Sequence, residues 1–204
     1  IRLARFHTYD HLKDFNIDEA TIKSVHNIVA NGEISELSPD RVWSETSRAL
    51  KSNNPTIYFE KIISLNLQDP FFEDLNNPFC DSYEEEEIRW SELQINNNFN
   101  LGKNLPIPSG YKNASEVLRN ISRINTKISE DDLISILISS NFKRNKKIID
   151  KLIMLPNLKE NKDYISNLVN KIQITDFSYL ANMPKEKIRE EKSKIYKQII
   201  YTCK

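Results

Sequence analysis

The sequence predicts an all-α protein, with short helices forming a first module and a helical body and tail after it. Apolar residues recur at helical spacing in both halves of the chain, and the breaks between those stripes carry helix-start and helix-stop residues. No signature repeats at a solenoid period. The elements follow in order. Apolar positions from Ile1 to Leu12 fit a helix, and Phe15 and Ile17 fall in a connector. Asp18 caps a second helix with Ile22, Val25, Ile28 and Val29 on one stripe, stopped by Asn31 and Gly32. Ser38-Pro39 is a strong start, with Ser as cap, Pro at the first helical position and Asp40 in the positive first turn. That helix carries Val42, Trp43, Thr46, Ala49 and Leu50; Asn54-Pro55 repeats the signal and opens another through Tyr58, Phe59, Ile62 and Ile63. Residues 1–68 therefore read as one helical module.

Composition shifts after residue 68. Between Asp69 and Leu93 there are nine acids and one base, Arg89, so this stretch should not face phosphate. Glu84 to Glu87 suit the N-terminal turn of a helix ending near Leu93 better than a metal cluster. Asn96 to Gly110 reads as loop, which makes 69–113 an acidic linker with a short remnant of structure. From Ala114 the chain is helical again: Val117, Leu118 and Ile121; then Leu133 to Ile138 behind the Ser129 cap; Ile148 to Ile153, ended by Pro156; Tyr164 to Ile172; and Lys185 to Lys204.

The 204 residues hold 29 Lys plus Arg and 29 Asp plus Glu, a formal net charge of zero. No global field draws such a chain to nucleic acid, so local patches must. At this length a chain buries roughly 70% of its unfolded surface, enough for one large core or two small ones. Glycine occurs only at Gly32, Gly102 and Gly110, which excludes a glycine-rich phosphate cradle. Cys80 and Cys203 have no partner spacing and read as thiols of a reducing compartment. His7 and His11, with Asp10 or Asp14, could share a helix face as metal ligands, but the Glu and distal ligand of a zincin are missing and no metal site is assigned. No apolar run approaches the roughly 20 residues that span a bilayer. The start has neither Met nor a signal-peptide core, so a cytoplasmic location and a longer parent chain are expected.

Positive charge gathers late. Lys143, Arg144, Lys146, Lys147, Lys151, Lys159, Lys162 and Lys171 outnumber Asp150, Glu160 and Asp163, and residues 185–204 add seven bases, Lys185 and Lys187 among them, against three acids. Charge alone favours a solvated helix face over RNA contact. Tyr179, Tyr196 and Tyr201 could stack on bases, although core or rim is the commoner place for tyrosines at helical spacing.

The run from Gly32 to Leu50, GEISELSPDRVWSETSRAL, followed by Asn54-Pro55 and Tyr58-Phe59, closely resembles the neck of bacterial CCA-adding enzymes, the class II tRNA nucleotidyltransferases. Bacterial poly(A) polymerases share the looser pattern. Ile1 to Phe6 looks like the end of that family's template motif, with Arg2 and Arg5 matching its later two arginines. The resemblance implies that the parent protein adds C, C and A to the tRNA 3′ end from CTP and ATP. Arg2 and Arg5 would position the template helix, while Asp40, Arg41 and Glu45 would brace it through caps and ion pairs. For Arg41 and Glu45 the bottom-up alternative is a simple i, i+4 surface pair worth a few tenths of a kcal/mol.

The family's Mg²⁺-binding carboxylates belong to an N-terminal head, and nothing resembling their motifs occurs in this sequence. No catalytic residue and no cofactor is therefore assigned to this chain, which is expected to be inactive alone. Ile88 to Leu93 followed by Phe99 to Lys103 is similar to the segment ending in H-D-L-G-K in relatives that carry an HD phosphohydrolase domain. Phe99 and Asn100 replace its His and Asp, which suggests a degenerate remnant. Met183 to Glu191 faintly resembles the last helix of the same enzymes, whose body and tail grip tRNA. That likeness turns Lys143, Arg144, Lys146, Lys147, Lys185 and Lys187 into RNA-binding candidates. A poly(A) polymerase fragment and a non-catalytic helical interaction module remain the alternatives.

Overall fold

The computed structural model describes residues 1–12 and 14–203. Among them are ten α-helices and no strand, which is the all-α class the sequence predicts. The chain divides into two compact units, Ile1–Ser115 and Glu116–Lys204.

In the first unit, α1 (Arg2–Phe6) is shorter than the expected helix through Leu12. Side chains that bind its own carbonyls stop it: Thr8 Oγ1 donates to Arg5 O at 2.8 Å, and His7 Nδ1 lies 3.1 Å from Leu3 O while its Nε2 lies 3.1 Å from Phe15 O. Such local bonds compete with helix continuation. His7 is thus a buried structural residue, and it does not share a helix face with His11.

Helix α2 (Glu19–Ala30) starts where Asp18 accepts from Thr21 N at 3.1 Å and ends before Gly32, whose φ of 72° needs glycine. A 3₁₀ turn, Glu33–Glu36, leads to α3 (Pro39–Leu50) and then to α4 (Pro55–Ser64). Both helices begin at the expected prolines, yet neither Ser38 nor Asn54 makes a side-chain cap bond. The fixed φ of proline suffices to start them. Asn54 Nδ2 donates instead to Asp10 Oδ1 at 2.7 Å and Thr8 O at 3.3 Å, joining the start of α4 to the turn after α1.

The acidic stretch contributes to this same unit. Phe71, Phe72, Leu75 and Cys80 are buried in the core formed by α3 and α4. Helix α5 (Glu86–Asn96) runs past the expected end at Leu93 and is buried from Ile88 to Gln94. Trp90 meets Trp43 of α3 edge to face at 5.3 Å. Arg89, the one base among the acids, is buried and donates to the carbonyls of Leu50 at 2.6 Å and Ser52 at 2.7 Å, which end α3. Glu92 accepts from Ser82 N at 3.0 Å, and burial pushes its carboxyl above the usual range. Asn97 closes the segment: its Oδ1 accepts from Asn76 N and Asn77 N at 2.8 and 2.9 Å, and its Nδ2 donates to Asn77 O and Leu93 O at 2.7 and 2.8 Å.

Helix α6 (Ser109–Ile121) begins earlier than Ala114. The second unit continues with α7 (Glu130–Ser139), α8 (Lys146–Leu152), a 3₁₀ turn at Pro156–Asn161, α9 (Lys162–Ile174), a further 3₁₀ turn at Ser178–Asn182 and α10 (Lys185–Cys203). Helix α10 packs on α7 and α9 through Ile195, Tyr196, Ile199 and Ile200. An ion pair from Lys197 to Glu130 at 2.7 Å spans α10 and α7.

The substitution Asn97→Ala should lower the stability of the first unit by about 2 kcal/mol, because it removes the partner of two part-buried amide donors and two carbonyl acceptors. Urea titration followed by tryptophan fluorescence reads this unit alone, since both tryptophans, Trp43 and Trp90, lie in it. A loss below about 1 kcal/mol would mean that those groups find other partners.

Candidate nucleic-acid interface

Helix α1 is only five residues long and cannot hold its place by propensity; tertiary contacts to α3 and α4 do that. The most polar of those contacts is an ion pair from Arg5 to Glu45 of α3, made by Arg5 Nε and Glu45 Oε2. Both side chains are about nine-tenths buried. Burial opposes the Arg5 charge, but Glu45 and then Tyr9 outweigh it, and the guanidinium is held above its ordinary pKa. Arg5 also donates to the Tyr9 hydroxyl and stacks over the rings of Phe6 and Tyr9, at 5.1 and 5.6 Å to their centroids.

Glu45 is shared. Its Oε1 faces Arg48 Nη1 at 3.5 Å and Arg2 Nε at 3.7 Å, and both of those arginines are largely exposed. One buried carboxylate therefore gathers three guanidinium groups, two of which present their outer edges to solvent. Beneath it Thr46 Oγ1 and the buried Tyr58 hydroxyl lie 3.0 Å apart, fixing α3 against α4.

Helical spacing places Arg41, Glu45, Arg48 and the C-cap Lys51 along one side of α3, with Arg41 and Arg48 ~10 Å apart along the axis and Lys51 ~5 Å further. Two open clefts flank this row. The larger, about 540 Å³, is lined by Arg2, Arg41, Ser44, Glu45 and Arg48 with Leu37 and Val42. The other, about 430 Å³, is lined by Tyr9, Asp10, His11, Arg48, Lys51 and Asn53. The row carries more positive than negative charge and arginine forks suited to phosphate oxygens.

The structure thus brings Arg2, Arg5, Arg41 and Glu45 together. Glu45 turns toward α1 and Arg48, and among the described residues no ion pair joins it to Arg41. Asp40 is exposed in the first turn of α3, where its charge meets the positive end of the helix. Sequence reasoning missed Arg48, Lys51 and Tyr9. The i+3 and i+7 spacing of Arg48 from Glu45 and Arg41 was readable, whereas Tyr9 was assigned to a helix that ends at Phe6.

The basic candidates of the second unit lie just before and in the first turn of α8 and in the first turn of α10. Lys143 donates to Thr175 O at 2.7 Å and lies 5.0 Å over the Phe177 ring. Lys146 pairs with Asp150 at 3.2 Å. Arg144, Lys147, Lys185 and Lys187 are exposed, the last two in the first turn of α10. Phe99, at the HD-like position, has a left-handed backbone, with φ 56°, and Asn100 Nδ2 donates to Asp74. Among the described residues no group of three or more His, Cys, Asp or Glu is placed to hold a metal ion, and no helix is long and apolar enough to cross a membrane.

Residues 14–78 match the family described as "Probable RNA and SrmB-binding site of polymerase A". A multifunctional CCA protein of Mannheimia succiniciproducens is 39% identical over 75 residues, covering 37% of this chain and 18% of that protein. A CCA-adding enzyme of Buchnera aphidicola is 36% identical over 76 residues, again 37% of this chain and 18% of the other. The match to a multifunctional CCA protein of Haemophilus influenzae is longer, 30% identical over 113 residues, 52% of this chain and 27% of that protein. The chain therefore spans about a fifth to a quarter of the length of these relatives. No solved structure matches it. Residues 14–78, similar to the polymerase A RNA-binding family, include Gly32–Leu50 with Arg41, Glu45 and Arg48, while Arg2, Arg5 and Tyr9 precede that match.

Proposed function

We propose that this chain is part of a CCA-adding tRNA nucleotidyltransferase, and that its own share of the work is to bind tRNA and to support the nucleotide template. The parent protein would add C, C and A to the tRNA 3′ end from CTP and ATP. Mg²⁺ and both nucleotides are assigned to a catalytic head outside these residues, so the chain alone transfers no nucleotide. Phosphoryl transfer of this kind rests on metal ions clamped by paired carboxylates. The parent is taken to act in the cytoplasm, where its tRNA substrate is.

The observation that carries this reading is the buried Arg5–Glu45 pair. It ties the arginine-bearing helix that resembles the template motif to the helix that bears the Ser38-Pro39-Asp40-Arg41 wording. In that arrangement Arg5 and Glu45 are positioning residues, while Arg2, Arg41 and Arg48 reach ligand. A poly(A) polymerase parent is the second reading, favoured by the description of the matched family. Product length separates the two: a stop after C, C and A supports the first, and a run of A the second.

Filter binding of the chain to tRNA should weaken steeply as salt rises, because each neutralised phosphate releases counterions. The double reversal Arg41→Glu, Arg48→Glu should cost at least about tenfold in affinity at low salt. The pair Lys146→Glu, Lys147→Glu tests the second unit in the same assay. Binding that ignores both salt and the α3 reversals would overturn the interface.

Stability offers an independent reading of the Glu45 cluster. Glu45→Ala should destabilise the first unit by about 3–5 kcal/mol, since Arg5 is left buried and unpaired. The double change Arg5→Met, Glu45→Leu should recover most of that loss. Equal losses for the single and double variants, measured by tryptophan fluorescence in urea, would show that Arg5 is not held by this carboxylate.

A further inference from the structure

The second unit holds a cleft of about 300 Å³ that the RNA-binding reading of α3 does not use. It lies between the α7–α8 connection, the 3₁₀ turn at Ser178–Asn182 and α10. Its apolar walls are Phe177 and Tyr196, tilted against each other with centroids 5.7 Å apart, together with Leu180 and Ile188. Lys143 and Lys192, with Asn141 and Ala181, complete the lining, and no carboxylate is among the lining residues. Asp176 is the nearest acid in sequence to Phe177. Hydrogen bonds from the Ser178 amide and hydroxyl hold its carboxyl below the usual range, and Lys143 adds to the effect.

The backbone of Asn141 is bonded within its turn, its amide donating to Ile138 O, but its side-chain carboxamide and the Tyr196 hydroxyl, both in this lining, form no hydrogen bond with another described residue. Burial raises the Tyr196 pKa, so its hydroxyl stays protonated and able to donate. Asn141 is held at φ 44° by the tight turn that ends α7, and Lys143 is anchored on Thr175 O. The cleft is therefore a set arrangement of two aromatic rings, two lysines, one hydroxyl and one carboxamide that can both donate and accept.

A simple anion would leave the aromatic and aliphatic walls unused, and an apolar side chain would leave Lys192 and the two polar groups without partners, and Lys143 with only its carbonyl and its ring. A flat heteroaromatic ring carrying a phosphate answers to all of them. The volume is at the lower end for small-molecule pockets and suits one such unit. We infer that this cleft binds a single nucleotide, its base against Phe177 and Tyr196 and its phosphate toward Lys143 and Lys192. The nucleotide is either free or an unpaired residue of an RNA strand, since stacking on aromatic side chains is indifferent to base identity. The inference stands apart from the α3 interface, and its variants lie in the other unit.

The test uses the whole chain with three probes: AMP, a short single-stranded oligoadenylate and inorganic phosphate. In NMR titrations AMP or the oligonucleotide should shift the Tyr196 ring resonances, and inorganic phosphate should not. The double variant Asn141→Gly, Lys192→Gln, checked for an unchanged melting curve by circular dichroism, should weaken the bound probe about tenfold. Glycine accepts the backbone of position 141, so the fold should survive. AMP bound as tightly as the oligonucleotide identifies a mononucleotide site, and binding of the oligonucleotide alone identifies a strand contact. The inference is overturned if neither nucleotide probe moves the Tyr196 ring, if phosphate alone reproduces the shifts, or if a folded double variant binds as the unaltered chain does. Loss of oligoadenylate binding in the Arg41→Glu, Arg48→Glu variant, with the Tyr196 response to AMP intact, would separate the two surfaces.

Discussion

A carboxylate that is almost wholly buried must find cations, and Glu45 finds three. Arg5 is buried with it, while Arg2 and Arg48 approach the same side chain from its exposed edge. Removing two charges from water costs several kcal/mol per ion, and only close geometry with additional hydrogen bonds offsets it. Tyr9, Phe6 and the Thr46–Tyr58 pair supply that setting. The consequence for α1 is direct. Five residues do not make a stable helix in water, so the placement of Arg2 and Arg5 depends on the partner that α3 offers. Such a pair contributes less to stability than to arrangement, because a hydrophobic replacement could pack as well but would not aim two arginines outward.

The same logic runs through the acidic segment. Its sequence has the look of a solvated linker, yet its lone base is drawn inside to close the carbonyl end of α3, and Asn97 satisfies four backbone groups at once. Buried backbone groups demand partners, and where no helix or sheet supplies them a side chain must. Glu87 remains outside and Glu86 is half-buried, accepting from the Tyr111 hydroxyl; both sit in the first turn of α5, where the helix end favours acids. The segment's acids are not set apart from the α3 row, since Glu86 lies 3.6 Å from Lys51 at its end. The HD-like wording belongs to this scaffold as well: Phe99 serves a left-handed turn and Asn100 binds Asp74, roles that need neither a metal nor its ligands.

The second unit shows why a count of lysines is a poor guide to an RNA surface. Lys143 is engaged by a carbonyl and an aromatic ring, and Lys146 by Asp150. Partnered charges of this kind have less to offer a phosphate than free ones, although an ammonium fixed over a ring is well placed if a ligand enters beside it. Tyr196, Tyr179 and Tyr201 divide in the same manner. Tyr196 is buried against Phe177, while Tyr179 is half exposed and Tyr201 lies open to solvent.

The helices and their starts were legible because their causes are local. Proline sets its own φ, Asp18 and Ser129 bond to amides three residues on, and an apolar stripe needs only the helical period. The GEISELSPDRVW wording, likewise contiguous, was enough to point to the family that the comparisons support. What the chain alone did not display depends on residues far apart in it. The end of α1 at Phe6 is set partly by Phe15 O reaching the His7 ring, the partner of Glu45 is Arg5 forty residues earlier, and the partners of Arg89 are carbonyls at Leu50 and Ser52. A local pattern states where a helix can begin; which cation a buried carboxylate meets is decided only when packing brings distant segments within hydrogen-bond reach.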